Sequence, residues 1–180
     1  MRVITGVARG RKLQTLEGND VRPTTEKVKE ALFSSIQFDI EGRRVLDLFS
    51  GSGQLGIEAL SRGAECAVFV DLNPNAISII KNNLVATGLQ DKAVVVRSDS
   101  FSFIASTRDT FDIALLDPPY REELLEKSLA AVTGIMSDSG IIICERPIDI
   151  GLPENINGFI EKRKLKFGKI LVSVYRKESV

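Results

Sequence analysis

Short apolar runs alternate with amphipathic segments through most of the chain. The runs are continuously apolar, which is typical of parallel strands that are buried on both faces of a sheet. Between the runs, apolar residues recur on one helical face, as at Ile77, Ile80 and Leu84. This alternation indicates an α/β fold with a mostly parallel central sheet and helices on both faces. Strands are predicted over residues 45–49, Cys66–Asp71, Ala93–Arg97, 112–117 and 141–144.

Residues that cap or stop helices bracket the amphipathic segments. Threonine and asparagine side chains accept hydrogen bonds from the free backbone N–H groups at the start of a helix, and glycine readily adopts the left-handed backbone that ends one. One predicted helix begins at Thr24 or Thr25, and a second, after the first strand, ends at Gly63. A third runs from Asn73-Pro74 to Gly88, and a short fourth lies around residues 101–105. A fifth extends from Leu125 through Met136 to Ser139-Gly140.

The alternation of apolar runs and amphipathic segments ends after Pro147. Residues 151–158 lack a periodic pattern and are predicted as a loop. Phe159–Phe167 and residues 170–175 follow with only Gly168-Lys169 between them, which predicts an antiparallel hairpin added to the edge of the sheet. Residues 162–177 contain seven basic side chains and no acidic one. The sequence leaves open whether this run binds a partner or is a solvated edge.

Length and composition set broad limits on function. With 180 residues, 43% of them hydrophobic, the chain can form one domain with a sizeable core. The absence of histidine excludes histidine general bases, histidine-activated nucleophiles and histidine metal ligands. Cys66 and Cys144 lack a metal-binding spacing and are expected to be buried thiols in a reducing compartment. No signal-peptide or membrane-spanning run occurs, so we expect a cytoplasmic protein that binds neither a metal nor a membrane.

The N-terminal segment is basic, although the net charge of the chain is zero. Residues 1–16 hold two glycines between short apolar stretches and no acidic residue, which predicts a short hairpin or curled arm. Such an arm can contact phosphates, or it can be a solvated edge that discourages aggregation. We therefore divide the single domain into an arm over residues 1–22 and a core over residues 23–180. The basic side chains near the start of the arm are Arg2, Arg9, Arg11 and Lys12.

A glycine turn follows the first strand. Residues 51–56 match the Gly-x-Gly-x-x-Gly fingerprint, and Asp71 ends the next strand eighteen residues after Gly53. Glycines admit a ligand close to the backbone, the start of the following helix presents free N–H groups, and a strand-end carboxylate accepts hydrogen bonds from ribose hydroxyls. Taken alone, these features fit NAD as well as S-adenosylmethionine.

Two later strand ends favour S-adenosylmethionine. Asp99 follows the third strand, where its carboxylate could bind an adenine amino group, although it could also cap the short helix after it. Asp117-Pro118-Pro119-Tyr120 follows the fourth strand. A hydride-transfer site needs neither feature, whereas a site that methylates an amine beside the cofactor would use both.

The turn at residues 117–120 suits the methylation of an exocyclic base amine. The lone pair of such an amine is delocalised into the ring, so the amine is a poor nucleophile, and its two N–H groups need acceptors. The Asp117 carboxylate and the Pro118 carbonyl can accept them, while Pro119 stiffens the turn and Tyr120 can stack on the base. Positioning would then support a direct methyl transfer without a metal or a covalent intermediate.

Segments along nearly the whole chain match a known family. They read Arg-Val-Ile-Thr-Gly at 2–6, Gly-Arg-Lys-Leu at 10–13, Arg-Pro-Thr-Thr at 22–25, Lys-Glu-Ala-Leu-Phe at 29–33, the glycine turn at 46–56, Glu-Ala-Leu-Ser-Arg-Gly-Ala at 58–64, and Asp-Pro-Pro-Tyr at 117–120. With them the sequence resembles the RsmD-type small-subunit ribosomal RNA guanine-N2 methyltransferases. Gln54 and Lys29 depart from that pattern, which commonly has a small residue and an arginine there.

The resemblance implies a class I, Rossmann-like methyltransferase fold, S-adenosylmethionine as the cofactor, and N2-methylguanine in 16S ribosomal RNA, within an assembling small subunit, as the product. We expect a monomer in which removing residues 1–12 impairs RNA methylation more than cofactor binding. An adenine-N6 methyltransferase on DNA or RNA and a non-catalytic, cofactor-binding module for RNA or ribosome assembly remain alternatives.

The predicted site residues fall into three groups. We predict that Asp117, Pro118, Pro119 and Tyr120 are catalytic. We predict that Asp47, Phe49, Gly51, Ser52, Gly53, Asp71, Leu72, Asn73, Asp99, Ser100 and Thr24 bind the cofactor, and that Arg2, Arg9, Arg11, Lys12 and Arg22 contact RNA.

Overall fold

Helices and strands alternate along the chain in the computed structural model, which describes residues 1–16, 25–119 and 122–178. The helices are α1 (Glu26–Ser35), α2 (Gln54–Ser61), α3 (Pro74–Thr87), α4 (Ser100–Ser106) and α5 (Glu122–Val132). The strands are β1 (Arg44–Asp47), β2 (Cys66–Asp71), β3 (Ala93–Arg97), β4 (Phe111–Leu116), β5 (Met136–Pro147), β6 (Asn155–Ile156), β7 (Phe159–Phe167) and β8 (Ile170–Lys177).

The described strands form one sheet in the order β3-β2-β1-β4-β5-β8-β7-β6. β1 to β5 pair in parallel, whereas the pairs β5–β8, β8–β7 and β7–β6 are antiparallel. The mostly parallel sheet and the C-terminal hairpin at its edge are therefore confirmed. From β1 the chain continues to β2 and β3 on one side of the sheet, whereas from β4 it continues to β5 on the other side. The crevice beyond the carboxyl ends of β1 and β4 is therefore the switch point at which α/β proteins bind ligands.

Local capping sets the start of α1 and both ends of α3 as predicted. Thr25 caps α1 by accepting a hydrogen bond from a backbone N–H of the first turn at 3.3 Å, and Thr24 lies outside the described residues. Asn73 caps α3 in the same way at 2.9 Å, and Gly88 ends that helix with a φ of 70°. These residues satisfy backbone groups that a helix end leaves unpaired, and they hold the start of α3 at the carboxyl end of β2.

The structure corrects the prediction for the segment after α5. That helix ends at Val132, and β5 already begins at Met136, so Met136 and Ser139-Gly140 do not end a helix. Met136 pairs with Phe111 of β4, and the register then shifts before the two strands pair regularly again at Ile141. Pairing with a neighbouring strand therefore overrides a helical spacing that is present locally in the sequence.

Other differences from the predicted elements are small. β1 ends slightly earlier than predicted, at Asp47, because the next residues already form the turn. Residues 151–158, predicted as a loop, contain the short strand β6, which pairs with β7. Cys144 is buried as predicted, whereas Cys66 at the start of β2 is partly exposed.

Two hydrophobic clusters fill the two faces of the sheet. One cluster joins the N-terminal arm, α1, α2 and α3 to one face, and the other joins α4 and α5 to the opposite face. Successive residues of β1 alternate between them, since Val45 belongs to the first cluster and Leu46 to the second. Burial on both faces explains why the parallel strands are continuously apolar in the sequence.

The N-terminal arm is a short hairpin embedded in the first cluster. Arg2 and Lys12 form an antiparallel bridge, and Val3, Ala8 and Leu13 are buried in the core. The basic side chains of the arm remain exposed. Because the arm completes the core, its removal is expected to destabilise the whole fold, rather than to impair RNA methylation selectively.

A buried carboxylate anchors the arm to α2. Glu58 is fully buried, and its side chain accepts hydrogen bonds from the backbone N–H groups of Ile4 at 2.9 Å and Thr5 at 3.0 Å. It also accepts one from Arg62 at 2.9 Å and lies 3.5 Å from the ammonium group of buried Lys29. Burial lowers the pKa of Lys29, and the charge of Glu58 opposes that change. Four groups therefore converge on one carboxylate and hold the arm in place.

Gly6→Ala is expected to reduce the free energy of unfolding by about 3 kcal/mol or more. Gly6 has a φ of 89°, and an added Cβ would lie 1.7 Å from the backbone oxygen of Ser61, which cannot move aside cheaply. Gly10→Ala is the matched control, because Gly10 has a φ of 82° but open space around it. We expect Gly10→Ala to cost only about 1 kcal/mol. Urea unfolding measures both, and equal losses would show that the arm does not dock closely on α2.

Candidate functional site

One cavity of about 500 Å³ opens at the carboxyl ends of the parallel strands. It lies at the switch point of the sheet, and its wall includes both of the turns that the sequence singled out. The predicted site residues that line it are Asp47, Phe49, Gly51, Ser52, Asp71, Leu72, Asn73, Asp99, Ser100, Asp117, Pro118 and Pro119.

The glycine turn between β1 and α2 is shaped by positive φ angles. Gly51 has a φ of 53° and Gly53 a φ of 76°, a region that glycine adopts without a steric penalty. The Ser50 hydroxyl donates a hydrogen bond to the backbone oxygen of Asp47 at 2.6 Å, and the Gly53 N–H donates to the backbone oxygen of Ser50 at 2.6 Å. Gly53 is the N-cap residue of α2 and is not among the residues that line the cavity, so it shapes the site rather than lining it.

A buried asparagine ties the glycine turn to the N-terminal segment. The Asn83 side chain of α3 donates hydrogen bonds to the backbone oxygens of Ser52 at 2.9 Å and Gln14 at 3.0 Å. It also accepts a hydrogen bond from the Gln14 N–H at 2.8 Å. Thr15 and Leu16, the next residues along the chain, line the cavity. The segment that follows the arm therefore forms one wall of the site.

Asp71 joins the glycine turn to the start of α3. One carboxylate oxygen accepts a hydrogen bond from the Gly51 N–H at 2.8 Å, and the other accepts one from the Asn73 N–H at 2.8 Å. These two bonds fix the orientation of the carboxylate at the cavity wall. Each oxygen retains a further lone pair, so the group can still accept hydrogen bonds from ribose hydroxyls, as its predicted role requires.

Asp47 is a buried carboxylate in the wall of the cavity. It is 2% exposed, and it accepts a hydrogen bond from the Gly56 N–H at 2.9 Å. Burial raises the pKa of Asp47 to about 7, the Gly56 N–H opposes the rise, and the negative charge of Asp71 adds to it. A positively charged ligand in the cavity would therefore favour the ionised form of Asp47 near neutral pH.

Relative to Asp47→Asn, the wild-type free energy of unfolding is expected to fall as pH rises from about 4 to about 7. The Asp47 carboxyl keeps its proton up to about pH 7 in the folded state, but it loses that proton around 3.8 when unfolded, so the folded state binds more protons in this window. The stabilisation that comes from the proton on Asp47 is complete below about pH 4 and is lost above about pH 7. Urea unfolding of both proteins across this range measures the effect. A difference between them that does not change with pH would contradict the raised pKa.

Asp99 caps α4 and also lines the cavity. One of its carboxylate oxygens accepts hydrogen bonds from the N–H groups of Phe101 at 3.1 Å and Ser102 at 3.0 Å, so the capping role considered for it is present. Hydrogen bonding to Ser102 lowers the pKa of Asp99, which keeps the exposed carboxylate ionised. Ser100 and Phe101 line the cavity beside it. A contact with adenine remains a prediction.

The Asp117-Pro118-Pro119 segment lines the same cavity as the glycine turn. It follows β4, which pairs in parallel with β1, so the two strand ends stand side by side at one edge of the sheet. Tyr120 lies outside the described residues. Its stacking role therefore remains a prediction, as do the catalytic roles of the other three residues.

The basic residues predicted to contact RNA lie on the exposed surface of the arm. Arg2 forms an ion pair with Glu26 at 3.1 Å. Arg9, Arg11 and Lys12 are exposed, and they are not among the residues that line the cavity. Arg22 lies outside the described residues. The structure thus leaves these side chains accessible, and their contact with RNA remains a prediction.

Several residues of the cavity wall were not identified from the sequence. Thr15, Leu16 and Leu124 belong to segments without a recognisable motif. Gln54, noted only as a departure from the family pattern, lines the cavity, and its amide oxygen is buried without a hydrogen-bond partner among the described residues. Position at a strand end would have identified Ser50. Thr15 and Leu16 are brought to the cavity by the contacts of the neighbouring Gln14 with Asn83, which join distant parts of the chain.

Two kinds of feature are absent from the described ranges, 1–16, 25–119 and 122–178. They contain no group of three or more cysteine, aspartate or glutamate side chains that could hold a metal ion. No helix within them combines the length and apolar character that crossing a membrane requires.

Comparison with known proteins finds similarity along nearly the whole chain. Residues 1–176 match the family model described as Conserved hypothetical protein 95. The chain is 41% identical to YlbH of Bacillus subtilis (strain 168), over 98% of this chain and 99% of that protein. It is 36% identical to Ribosomal RNA small subunit methyltransferase D of Escherichia coli (strain K12), over 99% of this chain and 91% of that protein. The solved structure of yhhF from Escherichia coli is 34% identical, with a TM-score of 0.89 over 100% of this chain and 99% of that chain.

Proposed function

The chain belongs to the family described as Conserved hypothetical protein 95, and from this premise we propose that it is a ribosomal RNA methyltransferase that uses S-adenosylmethionine. Its relative from Escherichia coli is named Ribosomal RNA small subunit methyltransferase D, and the two sequences align over 99% of this chain. We further propose that the acceptor is the exocyclic N2 amine of a guanine in 16S ribosomal RNA. The sequence resemblance to the RsmD-type enzymes supports that choice of atom.

The observation that carries the proposal is that both turns line one cavity. A cofactor held at the glycine turn and an amine held at the Asp117 turn would share a single compartment. Holding two reactants in a fixed relative orientation removes much of the entropic barrier to their reaction. Two separate hollows would have left the Asp117 turn without a cofactor to act with.

The residues around the glycine turn suit S-adenosylmethionine. Asp71 presents carboxylate lone pairs for ribose hydroxyls, and Asp99 and Phe101 offer a polar and an aromatic contact for adenine. The ionised form of Asp47 would balance the positive charge of the ligand. When bound, the cofactor supplies an electrophilic methyl group on a sulfonium sulfur. NAD could use the same glycine turn and Asp71, but it would give the Asp117 turn no role.

The contribution of the chain to the transfer is positioning. The Asp117 carboxylate and the Pro118 carbonyl would accept the two N–H groups of the guanine amine and direct its nitrogen towards the cofactor. Fixed acceptors of this kind stabilise the positive charge that develops on nitrogen as the methyl group arrives. The proton leaves after transfer, so Asp117 need not be a strong base. Tyr120 would stack on the base and limit its movement.

The target guanine is proposed to be unpaired or turned out of a helix, because an amine inside a stacked base pair cannot enter a protein cavity. We place it in 16S ribosomal RNA within an assembling small subunit. We also propose that the enzyme acts in the cytoplasm as a monomer.

Incubation with methyl-labelled S-adenosylmethionine and small-subunit RNA or particles, followed by nucleoside mass spectrometry, tests the proposed function. We expect labelled N2-methylguanosine. N6-methyladenosine as the sole product would assign the adenine-N6 alternative. Binding of the cofactor without transfer to either substrate would favour the non-catalytic module.

A further inference from the structure

The tip of the β7–β8 hairpin, residues 166–169, stands at the same edge of the sheet as the cavity. β5 is parallel to β4, so the carboxyl ends of both strands lie at that edge. Pro147, near the end of β5, pairs with Ile170, the first residue of β8. Three strand spacings separate β4 from β7 in the sheet order, which corresponds to about 15 Å. An RNA strand that presents a base to Asp117 would therefore pass within reach of the tip.

The basic side chains of the hairpin differ in how they are neutralised. Away from the tip, Arg176 pairs with Asp39 at 2.7 Å and Lys177 with Asp138 at 2.7 Å. Partway along β7, Lys164 pairs with Glu161 at 3.0 Å. Within residues 162–177, the lysines that have no ion pair with any described residue are Lys162, Lys166 and Lys169, all of them exposed.

Lys166 and Lys169 belong to the tip itself, so two unpaired positive charges lie at the edge that holds the cavity, whereas the exposed Lys162 and Arg163 lie further back along β7. The acidic residue Asp149 lies close to the tip in the chain pairing, because it follows Ile148, whose backbone N–H donates a hydrogen bond to the backbone oxygen of Lys169 at 2.9 Å. No ion pair joins Asp149 to Lys166 or Lys169 within 4.0 Å in the described part of the chain.

The backbone of the tip is held in a fixed position. The hydrogen bond from Ile148 ties it to the loop after β5. Leu165 and Phe167 pack against the first hydrophobic cluster, and Gly168 turns the chain with a φ of 59°. Charges on a fixed element can recognise phosphates with a smaller entropy loss than charges on a mobile tail. A solvated edge would discourage aggregation with lysines anywhere along it, and does not account for two unpaired lysines on a fixed tip beside the edge that holds the cavity.

We infer that Lys166 and Lys169 bind phosphates of the RNA strand that flanks the target base, an inference that rests on the proposed RNA methylation. The hairpin tip would then be a second contact with the RNA, on a different element from the N-terminal arm. Lysine–phosphate contacts of this kind set affinity and orientation without reading the base sequence. The tip therefore would affect how well the RNA binds, and not the rate of transfer once it is bound.

The double variant Lys166→Gln/Lys169→Gln tests this inference. We expect its KM for small-subunit RNA to rise about tenfold, and the slope of log affinity against log salt to decrease in magnitude by about two. The kcat at saturating RNA and the affinity for the cofactor should not change. Lys81→Gln/Lys92→Gln is the matched control, because both lysines are exposed, and they lie on α3 and just before β3, at the opposite side of the sheet.

RNA binding is also measured directly, with S-adenosylhomocysteine present and no turnover. A double tip variant that binds RNA like the control, with the same salt slope, would overturn the inference even if the wild type methylates RNA. A loss of RNA binding in the tip variant alone would support it even if the wild type transferred no methyl group, which separates its failure from that of the proposed function. Unchanged RNA binding, together with loss of binding to an acidic protein of the particle, would reassign the tip to a protein partner and overturn the inference.

Discussion

Asp117→Ala is expected to lower kcat for RNA methylation by about 10²–10³-fold. The substitution removes the carboxylate that is proposed to accept an N–H of the target amine, so the nitrogen is no longer held towards the cofactor. The glycine turn, Asp71 and Asp99 are untouched, so affinity for S-adenosylhomocysteine should change by less than about twofold. Single-turnover methylation and calorimetric titration of the cofactor product measure the two effects separately.

Asp91→Ala is the control for Asp117→Ala, because Asp91 is an exposed aspartate in the short turn before β3, away from the cavity. It should methylate RNA at the wild-type rate. Asp117→Asn should fall between the wild type and Asp117→Ala, since the amide keeps one acceptor oxygen but loses the negative charge. If Asp117→Ala methylates RNA as well as Asp91→Ala does, the amine is not held by this turn.

Glu58→Ala is expected to reduce the free energy of unfolding by about 3–5 kcal/mol, a large part of the stability of a typical domain. The substitution leaves the buried ammonium of Lys29 without its counter-charge, and the N–H groups of Ile4 and Thr5 without their acceptor. The arm should then detach from α2. Because Thr15 and Leu16 follow the arm and line the cavity, cofactor affinity should weaken as well. Urea unfolding and cofactor titration measure the two consequences.

Two further variants separate the buried cluster from general effects of losing a glutamate. Glu65→Ala removes an exposed carboxylate and should cost less than about 0.5 kcal/mol. Lys29→Met combined with Glu58→Ala should be less destabilising than the sum of the two single changes, because it removes both buried charges together. Strict additivity in this cycle would show that Lys29 and Glu58 do not interact in the folded protein.

The fold was largely predictable because its strands carry a strong local signal. β2 and β3 were predicted to the residue, since each is a short apolar run between a turn and a cap. The segment from Val132 to Ile141 was not, because Met136 continues the helical spacing of α5 and only its pairing with Phe111 makes it a strand residue. The register shift that follows depends on a neighbouring strand, which a local pattern cannot reveal.

The candidate site was predictable where its residues follow parallel strands. Strand ends of a parallel sheet meet at one edge, so Asp47, Asp71, Asp99 and Asp117 could be expected to lie close together without a structure. Contacts between distant parts of the chain carry no such signal. The hydrogen bonds of Asn83 to Gln14 and of Glu58 to Ile4, for example, join segments far apart in sequence, and they explain why the arm, predicted as a peripheral element, belongs to the core.

The most direct test of the central claim is a crystal structure with S-adenosylhomocysteine bound. The claim is that one cavity holds the cofactor at the glycine turn and the target amine at the Asp117 turn. We predict that the ligand occupies this cavity, with its ribose hydroxyls on Asp71 and its sulfur facing Asp117 and Pro118. A ligand bound elsewhere, or a sulfur that faces away from Asp117 with protein between them, would contradict the proposed mechanism.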